Sequence, residues 1–370
     1  MHVTLHLTTG CNLNCGYCYA PPVRRQDMTE DIARKSVEYC RKIAPLNAGI
    51  IFFGGEPLMR KDLIRSAISY CHELEKRDGG HSHFKVTTNG TLLDEEFLDY
   101  CREVRLSVAL SCDGTRDAHD YHRRFPSGAG SFDIVDSKLE LLLKYQPYAS
   151  CYLVVTHETV DCYYESVRYL FAKGVRYIVA SLNYAGNWTE GSLRTLRRQY
   201  TLLAKLYEGM TLDQRKFYFS PFETKLASHI KNEDGTCDKC HLGMRQISVG
   251  PDGSIYPCVQ FVGREEYRIG NVESGIDFAK RNHLHELSTE PATCAECSIQ
   301  PRCRNRCSCL NIQTTGEINV VSPVLCETER MLTPIVDRVG ERLVRKKAPM
   351  FIQKHYNAVY PILSLYDDSH

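Results

Sequence analysis

Cys11, Cys15 and Cys18 share one short run, Thr8-Thr9-Gly10-Cys11-Asn12-Leu13-Asn14-Cys15-Gly16-Tyr17-Cys18, and thiols clustered this densely point to metal chemistry. An iron–sulfur cubane normally takes four thiolates, one per iron. A loop that offers three, with no fourth cysteine nearby, leaves one iron open to a small molecule. Zinc is the competing reading, since Cys-x-x-Cys pairs are common in zinc sites. A structural zinc site, however, completes its four ligands with a second nearby pair, which this loop lacks.

A second concentration of cysteines runs Cys237-x2-Cys240-x12-Gly253-x4-Cys258, then Cys294-x2-Cys297-x5-Cys303-x3-Cys307, then Cys326. The pairs Cys237/Cys240 and Cys294/Cys297 could close one zinc ribbon, but that leaves Cys258, Cys303, Cys307 and Cys326 without a use. Cys309 fits neither pattern and could be core, a spare thiol or a catalytic group, a buried bystander being the plainest reading. Cys40, Cys71, Cys101, Cys112, Cys151 and Cys162 stand alone in helix-like or strand-like stretches and are expected in the core, where a thiol packs as a small hydrophobe.

These residues need a frame. Short apolar runs alternate with longer amphipathic ones from residue 3 to about 182, the pattern of repeated βα units around a parallel sheet. Strands are expected at His2–Leu7, Gly49–Phe53, Phe84–Thr88, Leu106–Ser111, Ser150–Val155 and Tyr177–Leu182, with helices at Thr29–Ile43, Lys61–Leu74, Glu190–Tyr207 and Glu327–Lys347. Thr29 is placed to cap its helix, with Glu30 and Asp31 in the first turn. Six units are too few to close an eight-stranded barrel, so the fold class expected is α/β, an open partial (β/α)6 barrel. A Gly-, Pro- and Cys-rich region follows, typical of a small fold held by metal. The expected division is residues 1–225 for the barrel, 226–330 for the Cys-rich domain and 331–370 for a helical tail.

The three-cysteine loop falls at the carboxyl end of the first strand, where α/β folds keep their active sites. Three more turns fall at corresponding ends: Gly54-Gly55-Glu56-Pro57, Thr87-Thr88-Asn89-Gly90 and Ser111-Cys112-Asp113-Gly114. Each alone is a plausible strand-end turn. Glycines at 54 and 55 would let backbone approach a ligand, Glu56 offers an acceptor for an ammonium, and Arg123 in His119-Asp120-Tyr121-His122-Arg123 offers a bidentate grip on a carboxylate.

Cys-x3-Cys-x-aromatic-Cys, with Tyr17 as the aromatic, resembles the signature of the radical S-adenosylmethionine (SAM) superfamily. The resemblance implies that Cys11, Cys15 and Cys18 hold a [4Fe–4S] cluster whose open iron chelates SAM, and that an electron from it releases a 5′-deoxyadenosyl radical. It further implies SAM contacts at Gly54, Gly55, Glu56, Thr88, Asn89, Ser111, Asp113 and Arg123. The later cysteines resemble the SPASM domain. That likeness implies an auxiliary cluster on Cys237, Cys240, Cys258 and Cys307 and another on Cys294, Cys297, Cys303 and Cys326, three clusters in all.

Relatives with such a tail modify peptides or proteins, so a peptide substrate is implied, along with an electron donor such as a flavodoxin or ferredoxin. Sulfatase maturases place Gln before the glycine pair and Asp after the cysteine equivalent to Cys258. This chain has Phe53 and Val259-Gln260, and neither Val259 nor Gln260 is a useful base near neutral pH. The expectation is therefore a peptide crosslink, a cysteine thioether, with formylglycine formation or a small-molecule radical reaction as alternatives. A zinc-stabilised binding module is the non-enzyme alternative. No amino-terminal peptide-recognition domain is expected, which leaves leader binding to a separate protein or to none.

Composition excludes other classes. Lys plus Arg number 46 against 45 Asp plus Glu, a net charge of +1, which gives no electrostatic reason to expect nucleic acid. No run approaches the length of an apolar membrane span, and the start lacks the pattern of a secretory signal, so a cytoplasmic protein off the membrane is expected.

Overall fold

The computed structural model describes residues 2–20, 24–231, 242–288, 291–303, 307–357 and 359–360. Cys237 and Cys240 lie outside the described residues. The strands are β1 (His2–His6), β2 (Asn47–Phe53), β3 (His81–Thr88), β4 (Leu106–Ser111), β5 (Ser150–Val155), β6 (Tyr177–Leu182), β7 (Tyr218–Phe219), β8 (Gln246–Val249), β9 (Ser254–Tyr256), β10 (Gly270–Asn271) and β11 (Gly275–Ile276). The described residues group into two compact units, one drawn from Met1–Ser111, His122–Gln146 and His241–Thr289, the other from Cys112–Tyr121, Pro147–Cys240 and Glu290–His370.

In the first unit β1 to β4 run parallel in sequence order, with Val3 opposite Ile50, Ile50 opposite Phe84 and Val86 opposite Val108. Side chains of these strands are almost wholly buried on alternate positions, Val3, Leu5, Phe52, Val86 and Leu110 among them, as a parallel sheet covered by helices requires. Helices α1 (Glu30–Ile43), α2 (Lys61–Asp78) and α3 (Glu95–Glu103) make the crossovers. Each starts or stops for a local reason. The Thr29 hydroxyl accepts the Ile32 N–H of α1, Gly79 at φ 74° ends α2, and the Asp94 carboxylate accepts the Phe97 N–H of α3.

The unexpected part is β8, which pairs parallel with the outer side of β1, Val3 facing Ile247. Strands β9, β10 and β11 then extend the same sheet antiparallel, giving the order β11-β10-β9-β8-β1-β2-β3-β4 within this unit. Residues 242–288, read from sequence as part of a metal-held domain, thus group with the first strand.

The second unit holds the parallel set β5, β6 and β7. Further helices are α4 (Arg116–His122), α5 (Phe132–Tyr145), α6 (Tyr163–Ala172), α7 (Glu190–Leu212), α8 (Ser220–Lys231), α9 (Phe278–Leu287), α10 (Ser308–Thr315), α11 (Pro323–Arg345) and α12 (Pro349–Tyr356). In the second unit Tyr207 of α7 stacks on Phe222 of α8 at 5.3 Å. Lys225 of α8 and Glu329 of α11 form a buried ion pair, and Lys225 also donates to the Arg302 carbonyl at 2.7 Å. Arg302 in turn holds Asp337 of α11 through two hydrogen bonds of 2.9 and 2.6 Å. Segment 300–302 is thereby tied to both helices.

Candidate active site

The loop after β1 is held from three directions. The Thr8 and Gly10 carbonyls accept the N–H groups of Gly55 and Glu56 at 2.8 and 2.9 Å, Thr9 N–H reaches the Gln26 carbonyl at 2.9 Å, and Asn14 and Gly16 N–H reach the Arg124 and His122 carbonyls at 2.7 and 3.2 Å. Cys18 N–H closes a turn onto the Cys15 carbonyl at 3.0 Å. The three thiols are therefore presented by backbone that is pinned on both sides.

The structure gives the glycine pair a reason within the protein itself. A Cβ on Gly55 would stand 2.1 Å from the Gly10 carbonyl oxygen, and one on Gly54, at φ 135°, would stand 2.3 Å from the Thr8 oxygen. The glycines let the end of β2 lie against the cysteine loop itself. Glu56 is likewise engaged within the protein. It is fully buried, and its carboxylate accepts Leu58 N–H at 2.9 Å, the Thr88 hydroxyl at 2.6 Å and Asn89 N–H at 2.7 Å. Burial pushes its pKa up, opposed by these hydrogen bonds and by the charge of Arg123. Glu56 and Thr88 thus lock the ends of β2 and β3 together.

Asn89 lies 8% exposed with its amide nitrogen 3.8 Å from Cys11 Sγ. Although part of Cys11 is open to solvent, desolvation around its sulfur raises the thiol pKa, and the hydrogen bonds from Leu13 N–H and Asn89 pull it back. Arg123 is buried at 7% exposure with its guanidinium 5.4 Å from the Tyr17 ring centroid, and His122 meets the same ring edge-on at 5.0 Å. The motif tyrosine is therefore the platform that positions Arg123 beside the cysteine loop. Ser111 ends β4 half-buried. Asp113 is buried in the second unit, where its carboxylate accepts the Val154 N–H of β5 at 2.9 Å. Cys112 beside it is held below the ordinary thiol range by a hydrogen bond from Cys151 and by His119, and all three are buried.

The later cysteines divide between the units. Cys258, 8% exposed, lies in the first. In the second, Cys297 N–H bonds the Cys294 carbonyl at 3.0 Å, Gln300 N–H the Cys297 carbonyl at 2.9 Å and Cys303 N–H the Gln300 carbonyl at 3.2 Å. These separate backbone turns fold the segment that carries Cys294, Cys297 and Cys303. Burial raises the Cys326 thiol, and Cys294 and Cys297 are near enough to add to that rise. Arg330, one turn beyond Cys326 on α11, reaches within 4.0 Å of Cys297 Sγ. Cys307 and Cys309 sulfurs are 3.6 Å apart. Of the lone cysteines, five are buried and Cys162 only partly so.

Among the described residues no three His, Cys, Asp or Glu side chains converge closely enough for a single metal ion. A cubane takes one thiolate per iron and asks for a wider set, which suits three thiols on one loop. Residues 5–170 match the family model described as Radical SAM superfamily. The chain carries a radical SAM domain. It is an enzyme, which sets aside the binding-module alternative. The chain is 24% identical to a cysteine-type anaerobic sulfatase-maturating enzyme of Clostridium novyi, over 81% of this chain and 85% of that protein. Its fold is that of native anSMEcpe with bound AdoMet and Cp18Cys peptide, at TM-score 0.77 and 20% identity, covering 92% of this chain and 99% of that one. It also resembles Streptococcus suis SuiB bound to precursor peptide SuiA, at TM-score 0.64 and 14% identity, over 88% of this chain and 75% of that one. No helix among the described residues is long and apolar enough to cross a membrane.

Proposed function

We propose that this enzyme abstracts a hydrogen from a peptide residue and joins that residue to a cysteine as a thioether. The observation that carries the radical step is the pinned loop of Cys11, Cys15 and Cys18 with buried Arg123 beside it. A cubane held by these thiols, with SAM bound, would supply the one-electron reduction that frees a hydrogen-abstracting radical. Arg123 grips the SAM carboxylate, held in place by Tyr17, and the backbone of Gly54-Gly55 and Ser111 shapes the rest of the SAM site.

The net change in the peptide is loss of two hydrogens, one as an atom and one as a proton with its electron. That electron needs an acceptor, and the Cys-rich residues provide for one. In this reading residues 1–225 perform SAM cleavage, residues 226–330 hold two auxiliary clusters on Cys237, Cys240, Cys258, Cys307 and on Cys294, Cys297, Cys303, Cys326, and residues 331–370 support them. A flavodoxin or ferredoxin supplies the first electron in the cytoplasm. Support for the peptide substrate comes from the peptides bound by the solved relatives. Support for a crosslink over formylglycine comes from Val259-Gln260 after Cys258, which offer no base. Formylglycine formation remains the second reading, because the relatives of known activity include sulfatase maturases.

The test is anaerobic reconstitution followed by incubation with dithionite, SAM and a cysteine-containing peptide. Wild type should bind three clusters and release 5′-deoxyadenosine. Cys11→Ala/Cys15→Ala/Cys18→Ala should release none and lose about a third of the iron, one cluster of three. A product two hydrogens lighter, unreactive to hydrazide, is the thioether; a hydrazide-reactive aldehyde establishes formylglycine instead.

A further inference from the structure

The amide of Asn89 has only one orientation open to it. Thr91 backbone N–H lies 3.0 Å from Asn89 Oδ1 and can only donate, which makes that atom the oxygen. The Thr91 hydroxyl, accepting from Asn12 Nδ2 at 2.8 Å, passes its own proton to the same oxygen at 2.7 Å. The nitrogen end must then face Asn12 Oδ1 at 2.9 Å and Cys11 Sγ at 3.8 Å. Asn12, Asn89 and Thr91 close a ring in which every donor direction follows from one main-chain N–H. Leu13 N–H adds a second donor to the same sulfur at 3.4 Å.

We propose that this ring is a positioning device that aims an N–H at the Cys11 sulfur and thereby raises the electron affinity of the cluster that sulfur holds. The inference rests on Cys11, Cys15 and Cys18 being the cluster ligands. Reduction adds negative charge to the cluster and its thiolates, and a fixed N–H stabilises that charge more than the oxidised state, so hydrogen bonds to the sulfurs raise the potential. The small exposure of Asn89 keeps bulk water from competing for the bond. The sequence resemblance assigned Asn89 to SAM contact; the proposal gives its amide a role toward the Cys11 sulfur.

The test is a redox titration of the reconstituted protein without SAM, followed by the electron paramagnetic resonance signal of the reduced cluster, in a background lacking Cys294, Cys297, Cys303 and Cys326 to simplify the spectrum. Asn89→Asp keeps the shape but turns an acceptor oxygen toward the sulfur. The ratio of reduced to oxidised cluster at a fixed potential should fall about tenfold, about 59 mV for a one-electron couple, with iron content unchanged. Thr91→Val, which keeps the main-chain N–H but removes the hydroxyl that links Asn12 to Asn89 and so loosens the ring, should shift the potential the same way by less. If Asn89→Asp does not load iron, Thr91→Val alone decides the matter. An unchanged SAM-free potential with weakened SAM binding overturns the proposal and makes Asn89 a SAM contact. Equal iron in wild type and Cys11→Ala shows instead that the ligand assignment beneath it is wrong.

Discussion

At the scale of single residues, Arg123 is the charged side chain set against the motif tyrosine of the cysteine loop. It is buried, it faces the Tyr17 ring, and its charge is felt by Glu56. Arg123→Ala should weaken SAM binding by about tenfold to a hundredfold, since a hydrogen bond to a charged group contributes about 1.5–3 kcal/mol, while leaving iron content intact. Isothermal titration under anaerobic conditions measures it, and unchanged affinity would make Arg123 a packing residue. The cysteine loop and Arg123 were legible because their residue types and spacing are rare. Asn12 and Thr91 were not, because common polar residues acquire a role only through partners that the fold brings near. Glu56 shows the limit from the other side. The motif was visible as an acceptor for a ligand's ammonium, but not the chain's own donors that both carboxylate oxygens also meet.

Between elements, the consequence of Glu56 is mechanical. Glu56→Ala would strand two backbone N–H groups and a hydroxyl in a dry site, each at about 1–3 kcal/mol, so unfolding in urea should show a loss of about 3–5 kcal/mol. Glu56→Gln, which keeps one acceptor, should lose less than half of that. The pair joining α8 to α11 makes a second case. Lys225→Met leaves Glu329 buried and uncompensated, a cost of about 3–5 kcal/mol, and adding Glu329→Leu should recover most of it. A double variant as unstable as the single one would place the cost in lost packing. Strands β4, β5 and β6 fall on the residues that the apolar runs mark, because buried parallel strands are long enough to show. Strands β8 to β11 span only two to four residues each, too short for periodicity to register, and they lie among glycines and a proline that read as irregular.

For the whole molecule, acid stability should turn on His6, at the end of β1. Burial alone lowers its pKa from 6.5 to about 3, and among the described residues its Nε2 has no hydrogen-bond partner. The unfolded chain takes up a proton below 6.5 that the folded chain refuses, so this contribution is complete above 6.5 and is lost as pH falls toward 3, at about 1.4 kcal/mol per pH unit. His6→Leu should therefore lose about 2 kcal/mol less than wild type between pH 7 and 5 by urea midpoints; parallel curves would refute the assignment. The pairing of β1 with β8 reaches further. His2 meets Gln246, so during synthesis β1 waits for its outer neighbour until residue 246 has followed. During synthesis at about 5–20 residues per second, that edge stays open for tens of seconds, a template for pairing with another nascent chain. A gene cut after codon 225, where composition alone invites the cut, would make that exposure permanent, and its product should collect in inclusion bodies where the full-length protein does not.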